Sequence, residues 1–164
     1  MYYVSSTNQY LQNGVAFELE GIQYPANWLT LASADEKIAL GLQEVVTIGS
    51  RPDDRYYWIT EDLHEATRTY VATPKDLVML QTQSARIIDQ QAYSLLLPSD
   101  WMVVRASESG VAVPDAWKTW RAAVRTVASR TRTALAAVTT VEQLISVMTD
   151  VVWPPNPDEA TKTI

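Results

Sequence analysis

The single histidine of the chain, His64, stands beside a carboxylate in His64-Glu65-Ala66-Thr67-Arg68. Zinc-dependent peptide hydrolysis needs two imidazoles one helical turn apart, and this segment supplies one. A surface histidine among acidic residues is the better reading, and a Ser-His-Asp relay would have to rest on His64 alone. Asp53-Asp54 and Glu61-Asp62 are adjacent carboxylates, the residue type that flanks a scissile sugar bond in glycosidases. Adjacent residues on a strand point to opposite faces, and Asp-Asp in a turn usually bonds local backbone, so the structural reading is favoured. The alternating Asp/Asn spacing of a calcium loop does not occur. The five glycines, Gly14, Gly21, Gly41, Gly49 and Gly110, are too scattered to cradle a phosphate. The chain has no cysteine, which removes thiolate nucleophiles, sulfur-ligated metals and disulfides together. We therefore assign no catalytic residue, no cofactor and no metal site, and expect a protein that binds without catalysing.

Two features suit binding. Lys118, Arg121, Arg125 and Arg132 share one face of a helical pattern, which could meet an acidic partner but is more simply a solvated face. The aromatic bias is stronger: six Trp and eight Tyr against one Phe. Tyr and Trp pair an apolar ring with a polar handle, and they dominate binding hot spots. Trp101, Trp117 and Trp120 lie on helical stripes and are expected in the core. Tyr2, Tyr3, Tyr10, Tyr56, Tyr57 and Trp58 are the candidate partner-binding residues.

The 164 residues, 47% hydrophobic and 20% charged, describe a globular chain able to bury roughly 70% of its unfolded surface. No apolar run is long enough for a membrane span, and the start Met1-Tyr2-Tyr3-Val4 lacks a signal-peptide pattern, so neither is expected. The net charge is -6, with six basic and twelve acidic residues before Pro98 and seven of each after it. An acidic first half would repel a phosphate backbone, so nucleic acid is not expected as a partner.

These residues must be positioned by short β elements first and helices later. Phe17, Leu19, Ile22 and Tyr24 flank Glu20-Gly21 as a hairpin. Ser33-Ala34-Asp35-Glu36 matches a capping box for a short helix ending at Gly41. Leu42 to Ile48 reads as a strand. Between Gly49 and Thr73 come a turn, a strand at Tyr56-Tyr57-Trp58-Ile59, and an exposed acidic connection. Thr73-Pro74-Lys75-Asp76 predicts a helix start, with Thr73 as N-cap and Pro74 as first helical residue. Leu77, Leu80, Ser84, Ala85, Ile88, Ala92 and Leu95 then form one stripe up to Pro98. Ser99-Asp100 predicts a second helix to about Ser107, a break falls at Ser109-Gly110, and Asp115 opens a third helix. Its stripe is Trp117, Trp120, Val124, Val127, Thr131, Leu135 and Val138. Thr140-Val141-Glu142-Gln143 predicts another capping box, and the prolines from Pro154 end the last helix. The expectation is an α+β protein: a β-rich partner-binding module (1–72), a helical region (73–153) and a flexible tail (154–164), frayed after Asp158.

Two groups of segments carry a resemblance. The first is Gly21-Ile22-Gln23-Tyr24-Pro25-Ala26-Asn27-Trp28-Leu29 with Ala34-Asp35-Glu36-Lys37 and Gly41-Leu42, which resembles a segment near the N-terminus of small tail-associated proteins of tailed bacteriophages. The second is Leu96-Leu97-Pro98-Ser99-Asp100-Trp101-Met102-Val103-Val104-Arg105, Glu108-Ser109-Gly110, Val113-Pro114 and Trp120-Arg121-Ala122-Ala123-Val124-Arg125. It is similar to the C-terminal signature of phage tail fibre assembly chaperones. Together they span about half of the chain. The resemblance implies a protein that binds the distal end of a trimeric tail fibre, assists its folding or trimerisation, and in some cases stays as a cap. It implies the host cytoplasm during assembly, or the virion tail, as its location, and no reaction. The alternatives are a structural baseplate or tail component without a chaperone role, and an enzyme acting on host glycans. The resemblance leaves the chain's own oligomeric state open.

Overall fold

The computed structural model describes residues 1–160, with side chains to Asp158. The fold is α+β, strands first and helices after, as the sequence predicts. The chain divides into two units, Met1–Thr73 and Pro74–Ile164.

The first unit opens with β1 (Tyr2–Val4) and β2 (Gln9–Leu11), then β3 (Phe17–Leu19) and β4 (Ile22–Tyr24). In the β3–β4 hairpin Leu19 faces Ile22, so Glu20-Gly21 is the whole turn, and both of its residues have positive φ (52° and 79°). Two left-handed residues in a row match the twist of the flanking strands, and glycine takes the second place without a Cβ penalty. Two short helices follow, α1 (Trp28–Leu31) and α2 (Ala34–Ala39). The predicted capping box is present. Ser33 Oγ accepts from the Glu36 amide, and the Glu36 carboxylate accepts from the Ser33 amide at 2.7 Å. These bonds from Ser33 hold the Glu36 carboxyl below its ordinary range.

The predicted strand Leu42 to Ile48 is two strands in different sheets: β5 (Leu42–Glu44) and β6 (Val46–Thr47). β5 joins β1 and β2 in a sheet ordered β2-β1-β5, with Val4 opposite Leu42 and Tyr2 opposite Leu11. Val4, Leu11, Phe17, Leu19, Leu29 and Leu42 form this unit's core, with Tyr2, Tyr24, Trp28 and Leu40 packed against it. Phe17 and Tyr24 stack at 4.8 Å, and Trp28 meets both edge-on.

The acidic connection expected after Ile59 is instead a strand. β7 (Tyr57–His64) and β8 (Thr67–Pro74) are two eight-residue strands separated only by Glu65-Ala66. With β6 they make a sheet ordered β6-β8-β7, in which β6 runs parallel to β8. β8 carries through Thr73 and Pro74, so these do not cap a helix. The N-cap is Asp76, whose carboxylate accepts from the Met79 amide at 2.7 Å, and α3 runs Leu77–Leu96.

The second unit is built on α3 and α5 (Asp115–Ala137). Between them lie a 3-10 turn (Leu97–Ser99) and α4 (Asp100–Ser109), which ends on Gly110 with φ 72°. Leu80, Ser84, Ile88 and Ala92 of α3 are buried, as are Trp120, Val124, Ala128, Thr131 and Leu135 of α5. Side-chain bonds link Gln81 to the carbonyl of Leu135, Asp89 to Arg132, and Arg121 to the carbonyl of Leu96. Residues later in α3 thus meet residues earlier in α5, so the pair is antiparallel. Gln81 donates to the Leu135 and Val138 carbonyls, two acceptors that α5 leaves bare at its C-terminal end. α6 (Val141–Thr149) adds Val141 and Leu144 to this core. Its Thr140 cap accepts from the Gln143 amide, but the Gln143 side chain turns to Thr139, so the box closes one residue earlier than predicted. α7 (Pro157–Ala160) follows.

Two further expectations are corrected. Pro154, assigned to the flexible tail, is tied down: its carbonyl accepts from Trp120 Nε1 at 3.0 Å. Residues 161–164 of that tail lie outside the described residues. Trp101, expected in the core, is 53% exposed and lies under the Arg105 guanidinium at 4.8 Å. α4 turns Met102, Arg105 and Ala106 partly inward instead. Trp101→Ala should accordingly cost no more than about 1 kcal/mol, the worth of an exposed cation–π pair, measured by urea unfolding followed by circular dichroism.

Candidate partner-binding surface

Tyr2 and Tyr3 are neighbours on β1 and therefore face opposite ways. Tyr2 points to the core side, with the Lys37 ammonium 5.2 Å from its ring. Tyr3 is 7% exposed; its ring meets that of its strand partner Tyr10 at 5.3 Å, and its hydroxyl donates to Asn8 Oδ1 at 3.1 Å. Tyr10 is half-buried. Its phenol pKa is raised, first by desolvation, then by Tyr3, Glu65 and Asp62, so the acidic turn end of the β7–β8 hairpin lies near it.

Tyr56, Tyr57 and Trp58 lead into β7. The turn before them is set by Asp53: its carboxylate accepts from the Arg55 amide and side chain, and its carbonyl accepts from the Tyr56 and Tyr57 amides. Arg55 is held above its ordinary pKa chiefly by the hydrogen bond to Asp53, and it lies 5.4 Å from the Tyr56 ring. Tyr56 and Tyr57 are half-buried, while Trp58 is 66% exposed. The six aromatic candidates are therefore divided: Tyr2 supports the core, Tyr3 and Tyr10 pair on the other face of the first sheet, and Trp58 is presented outward.

The β7–β8 hairpin shows what the aromatic count alone missed. None of its sixteen residues is buried. Along β7 the burial alternates except at Glu61: Tyr57, Ile59 and Leu63 are half-buried, Glu61 on their face is exposed and pairs with Arg68, and Trp58, Thr60, Asp62 and His64 are all exposed. The exposed face is a row of one aromatic and three polar side chains. The spacing of Tyr57, Ile59 and Leu63 was the available signal.

Three of the four candidate acids pair with a basic neighbour. Asp54 pairs with Arg51 at 3.5 Å, Asp53 with Arg55 at 2.6 Å, and Glu61 with Arg68 at 3.5 Å. Among the described residues no group of three His, Asp or Glu is placed to hold a metal, and no helix is long and apolar enough to cross a membrane. The basic face expected on α5 is largely committed within its own unit. Lys118 pairs with Asp115, Arg132 with Asp89, and Arg121 is buried. Arg121 Nη1 donates to the Leu96 carbonyl and to Ser99 Oγ, while Nη2 donates to Asp100 at 2.7 Å. Ser99 in turn donates to Leu96. Leu96, Ser99, Asp100 and Arg121 thus meet in one knot that locks α5 to the end of α3. Its role in this chain is packing.

No family model, no curated protein and no solved structure matches the chain. Surface chemistry therefore carries the functional argument. Four basic residues, Lys37, Arg51, Arg55 and Arg68, and ten acidic ones lie in residues 1–73, which therefore hold the whole net charge of -6. The second unit is neutral by sequence, and both units expose scattered apolar side chains, among them Leu31 and Ile38 in the first and Val78 and Tyr93 in the second.

Proposed function

We propose that this chain is a phage tail fibre assembly chaperone, acting by binding alone. The observation that carries the reading is the β7–β8 hairpin: two long strands with no buried side chain, presenting Trp58 on an acidic unit. A strand pair of this length gains little from its own folding, and a partner that covers it would add the missing burial. The resemblance of Leu96-Leu97-Pro98-Ser99-Asp100-Trp101 and Trp120-Arg121 to the chaperone signature supplies the partner's identity: the distal part of a trimeric tail fibre. The N-terminal unit meets the fibre, and the helical unit supplies its own core.

Co-expression with a candidate tail fibre chain tests this. The expected result is a complex in which the fibre carries this protein along on a tagged pull-down, and in which Trp58→Ala weakens recovery. Removing a central aromatic contact typically costs 2 kcal/mol or more, which is about thirtyfold in affinity. Finding the chain in purified virions would make it a cap as well. Virions that hold it at fixed stoichiometry whether or not the fibre is present would assign it to the baseplate or tail instead.

A further inference from the structure

β7 is the outermost strand of its sheet, since the order is β6-β8-β7. Its outer edge runs along Ile59-Thr60-Glu61-Asp62-Leu63-His64, where backbone donors and acceptors can meet a further strand. Edge strands in monomeric proteins are usually short, or guarded by proline, by charged side chains (lysine above all) or by a bulge, because such an edge is a template for another strand. β7 is long and contains neither proline nor lysine. What it does carry is negative charge at its centre, Glu61 and Asp62, with Glu65 in the turn beyond, on a unit holding the entire charge of -6.

We infer that the edge of β7 accepts an extended segment of a partner chain that bears lysine or arginine, by strand addition. Main-chain hydrogen bonds supply the attraction common to any strand, and the carboxylates select a basic one. A second copy of this protein is the wrong occupant, because pairing β7 with β7 would gather two Glu61 and two Asp62 carboxylates in one sheet. Arg68 sits 3.5 Å from Glu61 and offsets part of that charge, whereas Asp62 lies on the fully exposed face with Trp58 and His64. Asp62 is therefore the stronger selector. The inference rests on the reading of the N-terminal unit as the partner-binding part, and it adds the partner's backbone form and charge.

The test titrates the full-length protein with three synthetic ten-residue peptides, read by the NMR shifts of its backbone amides. One alternates valine and lysine, one has glutamate in place of lysine, and one is the lysine peptide methylated on alternate backbone nitrogens. The lysine peptide should shift the amides of Ile59 to His64 and bind about tenfold more tightly than the glutamate peptide, as two favourable cross-strand charge pairs would give. The methylated peptide, with its charge intact but its ladder broken, should not bind. Asp62→Lys should narrow or reverse the preference. Equal binding of the lysine and methylated peptides would reduce the effect to charge attraction and overturn strand addition. Shifts confined to residues outside β7, or no binding of any peptide at millimolar concentration, would also overturn it, the last leaving Glu61 and Asp62 as guards of the edge. None of these arms uses a fibre, so failure of the fibre reading and failure of strand addition are separately visible.

Discussion

Trp120→Ala should destabilise the helical unit by about 4 kcal/mol, within the usual range for removing a buried tryptophan. The ring is 6% exposed and meets Trp117 edge-on at 5.4 Å. Its indole nitrogen donates to the Pro154 carbonyl at 3.0 Å, so one side chain fills the core and ties down the chain that follows α6. Trp120→Phe separates these contributions. It keeps most of the apolar volume and deletes the bond, which should cost about 1 to 2 kcal/mol. Urea unfolding followed at 222 nm gives both values, and limited proteolysis should cut first near Pro154 in the phenylalanine variant. Equal stability of wild type and Trp120→Ala would remove this ring from the core.

The second large effect is expected at Arg121. Replacing it with alanine removes a buried guanidinium that serves the Leu96 carbonyl, Ser99 Oγ and Asp100, and leaves a void where its stem lay. A loss of about 3 kcal/mol follows from the uncompensated polar groups and the broken pair. Arg121→Met is the informative companion. It refills the volume, Ser99 still donates to Leu96, and the Asp100 side chain, 45% exposed, can turn to water. The methionine variant should therefore lose only about half as much. If alanine and methionine cost the same, the polar bonds dominate; if methionine is neutral, the knot contributes volume alone.

Arg121 also shows where the sequence is silent. Its charge and helical position place it with Lys118 and Arg125 on a solvated face. What buries it is the meeting of α5 with the end of α3, more than twenty residues earlier in the chain, and no local pattern records that. Trp101 errs the other way: its spacing fits a stripe, but α4 packs through Met102, Arg105 and Ala106, which leaves the larger ring half in water. Features whose causes are local were legible. The Glu20-Gly21 hairpin, the Ser33–Glu36 box, the Gly110 stop and the stripes of α3 and α5 each follow from residues within a few positions. Thr73-Pro74 misled because a threonine cap followed by proline is a strong local helix-start signal, whereas β8 runs through both residues and leaves Asp76 to cap α3.

The candidate surface was legible only in part. Aromatic content pointed to Tyr56-Tyr57-Trp58, yet the acidic composition of Glu61-Asp62 masked the strand that continues from it. The six aromatics named from the sequence include Tyr3, whose burial depends on Tyr10 pairing with it across the sheet. A strand edge is a property of sheet order, and β7 becomes an edge only because β6 and β7 flank β8. That relation is absent from any single stretch of residues.

If this chain binds a tail fibre and helps it assemble, as proposed, soluble trimer should depend on it. The most direct measurement is the yield of soluble, trimeric fibre from the co-expression described above, made with and without this chain and with the Trp58→Ala variant. Trimer is expected in quantity only when the unaltered chain is present, and less with the variant. Fibre that trimerises equally well alone, with nothing bound to it, would contradict the account and leave a structural tail component as the reading.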